Sequence, residues 1–249
     1  MIHRYSVFTE QDSFREAGCS MVYHAYRQAL KNHGSFHLVL SGGKTLGGML
    51  RTLTEQRWTQ LINWRRVHVW WSDERMVPAE HGESNYNTAW TNLLSLLPIK
   101  EKKIHRIKGE SETPQAAAQA YEEEIRKVFR KSRELPAFDL AILGIGSDGH
   151  TAGLFPDGKP EDPSGLILAV KDSGSKDKTP MVTLSLKVLN NTSSVLFFTN
   201  ARGKRRVISS LLKSSIHGNS PSTYPAALIQ PRKECIWHIL DEGEAEIKI

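Results

Sequence analysis

The sequence predicts an α/β fold in which a mostly parallel, doubly wound sheet lies between layers of helices. Three observations carry this. Short apolar runs of strand length, "FHLVL", "VHVWW", "FDLAIL", "SSVLFFT" and "ECIWHIL", alternate with longer stretches whose apolar residues recur every three or four positions. A run such as "FDLAIL" is apolar on both faces, as a strand is when helices cover both sides of its sheet. Polar motifs follow several of these runs at once, where a parallel sheet exposes its carboxyl edge and takes its ligands.

Taken in order, the first helix is marked by Phe14, Ala17, Met21, Val22, Ala25, Ala29 and Leu30. Ser13 and Glu16 have capping-box spacing, and Gly34 supplies a stop. The strand "FHLVL" ends in "SGGKT", after which a helix is expected to about residue 56. "VHVWW" runs straight into "SDERMVP". "SNYNTAWTNLLSLLP" puts Tyr86, Trp90, Leu93, Leu94 and Leu97 on one helical face, and "TPQAAAQAYEEEIRKVF" opens with a proline suited to a first helical turn. "FDLAIL" follows, then strands at "GLILAV", "PMVTLSL" and "SSVLFFT", a helix at "ARGKRRVISSLLK", and a closing strand at "ECIWHIL".

A chain of 249 residues that is 39% apolar can bury a substantial core. Nothing in it reads as an interdomain linker, so one domain over residues 1–249 is expected; the Pro/Gly/Ser-rich stretches 156–165 and 173–180 read as long surface loops. Cys19 and Cys235 give no disulfide framework, and no signal-peptide core or run of eighteen apolar residues occurs, so a soluble cytoplasmic protein is expected, without a membrane partner. The charge of +6 arises from 33 Lys and Arg against 27 Asp and Glu. "EEEIRKVFRKSRE" mixes both signs as a solvated helix face does, and no nucleic-acid motif accompanies the basic clusters, so nucleic acid is not the expected partner.

The chemistry collects in "SGGKT", "SDER" and "GSDGHT", each directly after a strand and so all on one carboxyl edge. The last contains a G-x-G-x-x-G in Gly144, Gly146 and Gly149. A dinucleotide fingerprint would have to open a helix, and the prolines of "TAGLFPDGKPEDPSG" deny one. The glycines are better read as a sharp turn that leaves His150 facing a crevice. Asp148, two residues earlier, is placed to fix the imidazole tautomer and leave one ring nitrogen free as a base. "SGGKT" lacks the upstream glycine of a P-loop, since Leu38 stands there, yet glycines before a helix offer N–H groups to a phosphate, with Lys44 adding charge. A tight turn would explain the same glycines. Arg75 can grip a phosphate or carboxylate, with Asp73 and Glu74 to orient it; an ordinary salt-bridge cluster is the plainer reading. Metal-ligand spacing is missing, and so is the G-x-S-x-G of a serine nucleophile, which leaves water as the preferred attacker.

These residues resemble the 6-phosphogluconolactonase family. "SGG.T", "SDERMVP", "ESNYNTAW", "LGIGSDGHTAGLFP", "VTLSLKVLNN", "GKRRVI" and "YPAALIQ" occur in the family's order over about residues 38 to 238. The resemblance implies a single Rossmann-like α/β domain related to glucosamine-6-phosphate deaminases. It implies hydrolysis of 6-phospho-D-glucono-1,5-lactone to 6-phosphogluconate, in the pentose phosphate pathway, without a metal or organic cofactor. By the same resemblance His150 is the general base and Asp148 its orienter. Gly42, Gly43, Lys44, Thr45, Asp73, Arg75, Asn85 and Lys204 are the candidate substrate- and phosphate-binding set, with Ser84 close by. Three positions depart from the family pattern: Lys44 stands for a serine, Leu46 for a proline and Met181 for an arginine, and Lys44 is expected to compensate for Met181 at the phosphate. A deaminase or isomerase, or a noncatalytic sugar-phosphate binder, is the competing expectation.

Overall fold

The structure, a computed structural model, describes residues 2–130, 135–156, 158, 164–171, 179–217 and 224–243. In chain order its elements are β1 (Ile2–Phe8), α1 (Gln11–His33), β2 (Phe36–Leu40), α2 (Lys44–Thr52), α3 (Gln56–Leu61), β3 (Val67–Trp71), β4 (Asp73–Arg75), α4 (Asn85–Asn92) and β5 (Ile104–His105). There follow α5 (Pro114–Phe129), β6 (Leu140–Leu143), β7 (Ile167–Val170), β8 (Met181–Leu184), α6 (Leu186–Asn190), β9 (Ser194–Asn200), α7 (Arg205–His217) and β10 (Glu234–Leu240).

Seven strands form one sheet in the order β1-β10-β9-β6-β2-β3-β5, and every neighbouring pair is parallel. The central strands β2 and β6 are buried at every residue, as their unbroken apolar runs require. Edge strand β1 carries Tyr5 and Val7 at 45% and 44% exposure and has too mixed a pattern to be read from sequence. After β2 the chain moves outward to β3; after β6 it moves the other way to β9. The direction of winding therefore reverses between β2 and β6, and a crevice opens there at the carboxyl edge. The main body of apolar side chains forms one contiguous core along this sheet, each fully buried leucine or phenylalanine contributing about 1.5–3 kcal/mol of burial.

Several local expectations are corrected. The capping box is absent: α1 starts earlier, at Gln11, with Glu10 at its N-cap and no side-chain cap, so Ser13 lies inside the first turn. Gly34 does end α1, with a φ of 79° and its N–H shared between the carbonyls of Ala29 and Leu30. The helix after "SGGKT" stops at Thr52 and a separate α3 begins at Gln56. Helix α4 ends at Asn92, so Leu93, Leu94 and Leu97 lie beyond it, the chain tightening into a 3₁₀ turn at Leu94–Leu96. Pro114 does open α5, with Thr113 capping through a bond from Ala116 N–H.

A larger difference concerns "SDER", "GLILAV" and "PMVTLSL". These segments form β4, β7 and β8, a separate antiparallel sheet in the order β4-β8-β7. Sequence periodicity cannot separate such short buried strands from members of the main sheet. Loop stretches 156–165 and 173–180 fall mostly outside the described residues.

Toward the amino edge a ladder of histidines crosses the sheet. His68 Nδ1 donates to His105 Nε2 at 2.9 Å, and His105 Nδ1 donates to Glu124 Oε1 at 2.8 Å. The His37 ring stacks on His68 at 4.6 Å and accepts from Trp70 Nε1 at 3.2 Å. Cys19 and Cys235 are both buried and free. Among the described residues no helix is long and apolar enough to cross a membrane.

Candidate active site

At the switch point lies an open cavity of about 290 Å³ whose walls come from four strand ends. The turn after β2 contributes Gly42, Gly43, Lys44 and Thr45, while β4 contributes Asp73 and Arg75. His150 comes from the loop after β6, and Lys204 from the segment after β9. Asn85, at the start of α4, completes the set. Every candidate binding residue from the sequence thus lines one cavity, and so does His150; Asp148 stands behind His150 and does not itself line it.

The two carboxylates of "SDER" have separate duties. Glu74 is 2% exposed and accepts four hydrogen bonds of 2.8–2.9 Å, from the N–H groups of Arg75, Asn85 and Tyr86 and from Ser84 Oγ. Ser84 Oγ in turn accepts from Asn87 N–H at 3.1 Å. The N-terminus of α4 is therefore satisfied internally, by one buried carboxylate and one hydroxyl cap. Ser84, expected beside the site, belongs to this cap. Burial pushes the Glu74 carboxyl up, and its N–H donors oppose the shift.

Asp73 lines the cavity. It accepts from Ser72 Oγ at 2.5 Å and from Asn85 Nδ2 at 2.9 Å, and the same amide donates to the Asp73 carbonyl. Burial raises the Asp73 pKa, opposed by these bonds and by the charges of Arg75 and His150. Asn85 packs so closely on the preceding turn that a Cβ at Gly42 would overlap its carboxamide. The glycine is required there for close approach.

Helix α2 offers the opposite environment. Its N-cap is Gly43, at a φ of 94°, with no side-chain cap and no acidic residue in the first turn. Among the described residues the first N–H groups of α2 thus have no partner at the cavity wall, a ready anion site. Burial lowers the Lys204 pKa, and among the described residues no carboxylate pairs with it. A buried cation in that position favours an anionic ligand. Its neighbour Arg205 is instead tied to Asp241.

In the loop after β6, Asp148 Oδ1 accepts from His150 Nδ1 at 2.6 Å and from His150 N–H at 3.1 Å. The first bond leaves Nε2 as the free ring nitrogen. The loop is a tight turn, as expected: Gly146 N–H bonds to the His150 carbonyl and Gly149 N–H to the Gly146 carbonyl. Gly149 has a φ of 85° and packs on the Tyr224 ring, which leaves no room for a side chain. Among the described residues no helix follows; Thr151 and Leu154 form an isolated bridge. Chemically the cavity combines a tethered imidazole with a cationic, N–H-rich wall, which suits attack by water on an electrophile carried by an anionic molecule.

The family model for glucosamine-6-phosphate isomerases/6-phosphogluconolactonase matches residues 9–237. The chain belongs to this family. It is 33% identical over 220 residues to a 6-phosphogluconolactonase of Synechocystis, covering 88% of this chain and 87% of that one. It is 35% identical to the 6-phosphogluconolactonase of Rattus norvegicus, covering 87% and 82%. Among solved structures, a 6-phosphogluconolactonase from Thermotoga maritima matches with a TM-score of 0.80 at 25% identity, covering 96% of this chain and 100% of that one. A monomeric glucosamine-6-phosphate deaminase matches in fold, with a TM-score of 0.76 at 15% identity over 96% and 97% of the two chains.

Sequence reasoning missed part of this family member's cavity. Ile145, Ala152, Phe198 and Thr199 also line it. Thr199 lies near the carboxyl end of β9 and was accessible to the same strand-end rule that found the others; the apolar three carry no chemical signature. Met181, expected to mark a lost phosphate contact, is 3% exposed and packs with Leu168 and Val170 away from the cavity lining. Met181 itself does not line the cavity, but it pairs across the β4–β8 ladder with Arg75, which does.

Proposed function

We propose that this protein is a 6-phosphogluconolactonase that opens 6-phospho-D-glucono-1,5-lactone to 6-phosphogluconate, in the pentose phosphate pathway and in the cytoplasm. One observation carries the residue assignments. His150, held from behind by Asp148, and the uncapped N-terminus of α2, with Lys44 and Lys204, face a single cavity.

In this reading the phosphate sits against the first turn of α2, between Lys44 and Lys204, and Arg75 and Asn85 hold the sugar. Nε2 of His150 takes a proton from water as the water oxygen bonds to the lactone carbonyl carbon. Nδ1–H stays on Asp148, which stabilises the imidazolium that forms. The carbonyl oxygen takes the negative charge of the tetrahedral intermediate. Collapse of the tetrahedral intermediate re-forms the carbonyl and breaks the bond to the ring oxygen. Nε2 returns its proton to that oxygen, and the new carboxylic acid ionises.

The test is hydrolysis of freshly generated phosphogluconolactone, followed by acid release and corrected for the spontaneous rate. A rate no greater than background removes the proposal. Ammonia release from glucosamine 6-phosphate would replace it with the deaminase reading.

A further inference from the structure

Thr183 is fully buried in β8, outside the cavity lining, and sits at the junction of the two halves of the site. It pairs directly with Asp73 across the antiparallel β4–β8 ladder. Its hydroxyl accepts from Gly153 N–H at 3.0 Å and lies within donating distance of two carbonyls, Ser72 at 3.1 Å and Leu184 at 3.2 Å. One oxygen thus ties the strand that carries Asp73 to the loop that carries His150.

Beyond this bond the loop is held by its own hydrogen bonds and, at Gly149, by the segment after α7, whose Ala226 N–H donates to the Gly149 carbonyl at 3.2 Å. Thr151 Oγ1 closes its neck on the Gly144 carbonyl at 2.8 Å, and Ala152, at the cavity wall, holds a φ of 49° that a residue with a side chain rarely adopts. The turn is pressed onto Thr183 so tightly that a Cβ at Gly153 would lie 2.8 Å from the threonine Cβ. A strained turn persists only where its surroundings over-determine it. We propose that Thr183 is a positioning residue for lactone hydrolysis, its hydroxyl setting the distance between the His150 loop and the Asp73 strand. This rests on the lactonase reading above.

The test uses Thr183→Val, which keeps the shape and removes the hydroxyl, and Thr183→Ser, which keeps the hydroxyl. Misplacing a catalytic group by about 1 Å can cost about a hundredfold. Thr183→Val is therefore expected to lose about ten- to a hundredfold in kcat with KM within about threefold, because the phosphate wall belongs to other elements. Thr183→Ser should recover most of the rate. Val188→Ala, a buried truncation in α6, should lower Tm without this kcat loss. If Thr183→Val does not fold, Thr183→Cys, whose thiol accepts weakly, is read instead and should show the same kcat loss. Wild-type kcat in a folded Val or Cys variant, a Ser variant no better than these, or a loss confined to KM would overturn the proposal. Wild-type protein without lactonase activity would remove the underlying reading instead.

Discussion

Asp148 holds His150 twice, through the ring Nδ1 at 2.6 Å and through the backbone N–H at 3.1 Å, with a single carboxylate oxygen. The double bond fixes both the tautomer and the turn that presents the ring. His150→Ala is expected to lower kcat by about 10²–10⁴-fold, the usual range for a positioned acid–base group, with little change in KM. Asp148→Asn should lower kcat less, since the loop also has its own backbone bonds. Background-corrected steady-state kinetics on folded variants check both.

The second prediction concerns Lys44, at the first position of α2. A cation is poorly placed at a helix N-terminus unless an anion lies beside it. Lys44→Ser should raise KM for the phosphorylated lactone by about tenfold or more, as loss of a charge-assisted bond does, and alter kcat less. An unchanged KM would make Lys44 a solvated surface charge.

Glu74 offers a contrast, because it is buried with two of its four donors, Ser84 Oγ and the Asn85 N–H, and half-buried N–H groups of Arg75 and Tyr86 supply the others. Glu74→Ala should destabilise the fold by about 1–3 kcal/mol for each buried donor it leaves without an acceptor. Glu74→Gln, which keeps an acceptor oxygen, should cost less. Urea unfolding measures both, and KM should rise in parallel as Asn85 and Arg75 lose their anchor.

Stability should also depend on pH through the buried histidines. Burial is the chief cause that holds His37 down to about 3 and both His68 and His238 down to about 4. Below the ordinary histidine value of about 6.5, the unfolded chain takes up protons that the folded chain does not. Their contribution is therefore complete above that value and is lost as pH falls toward 4, by up to about 1.4 kcal/mol per group per pH unit. A Tm that stays flat from pH 7.5 to 4.5 would contradict this. His238 Nδ1 is buried and unpaired among the described residues, so His238→Leu should reduce the slope.

Much of this was legible in the chain. Uninterrupted apolar runs located β2, β3, β6, β9 and β10, and the polar residues after them located the cavity, because side-chain pattern and strand-end position are both local properties. The registers were not legible. Nothing in "MVTLSL" announces that Thr183 pairs with Asp73, more than a hundred residues away, since such pairing depends on which elements meet in space. The apolar wall at Phe198 looked like any other core residue for the same reason.

The strand order has one consequence for biosynthesis. Among the described residues strand β1 pairs only with β10, with Ile2 opposite Glu234 and Phe8 opposite Leu240. Strand β1 therefore has no place in the sheet until a segment made more than two hundred residues later has been released from the ribosome. During that interval the apolar positions of β1 stay open to other chains, and so does the edge of β9 that awaits β10. Pairing across so long a separation is also slow in itself. Yields should therefore respond to chaperone supply and growth temperature through the closing of this edge, well after the residues around the cavity have been synthesised.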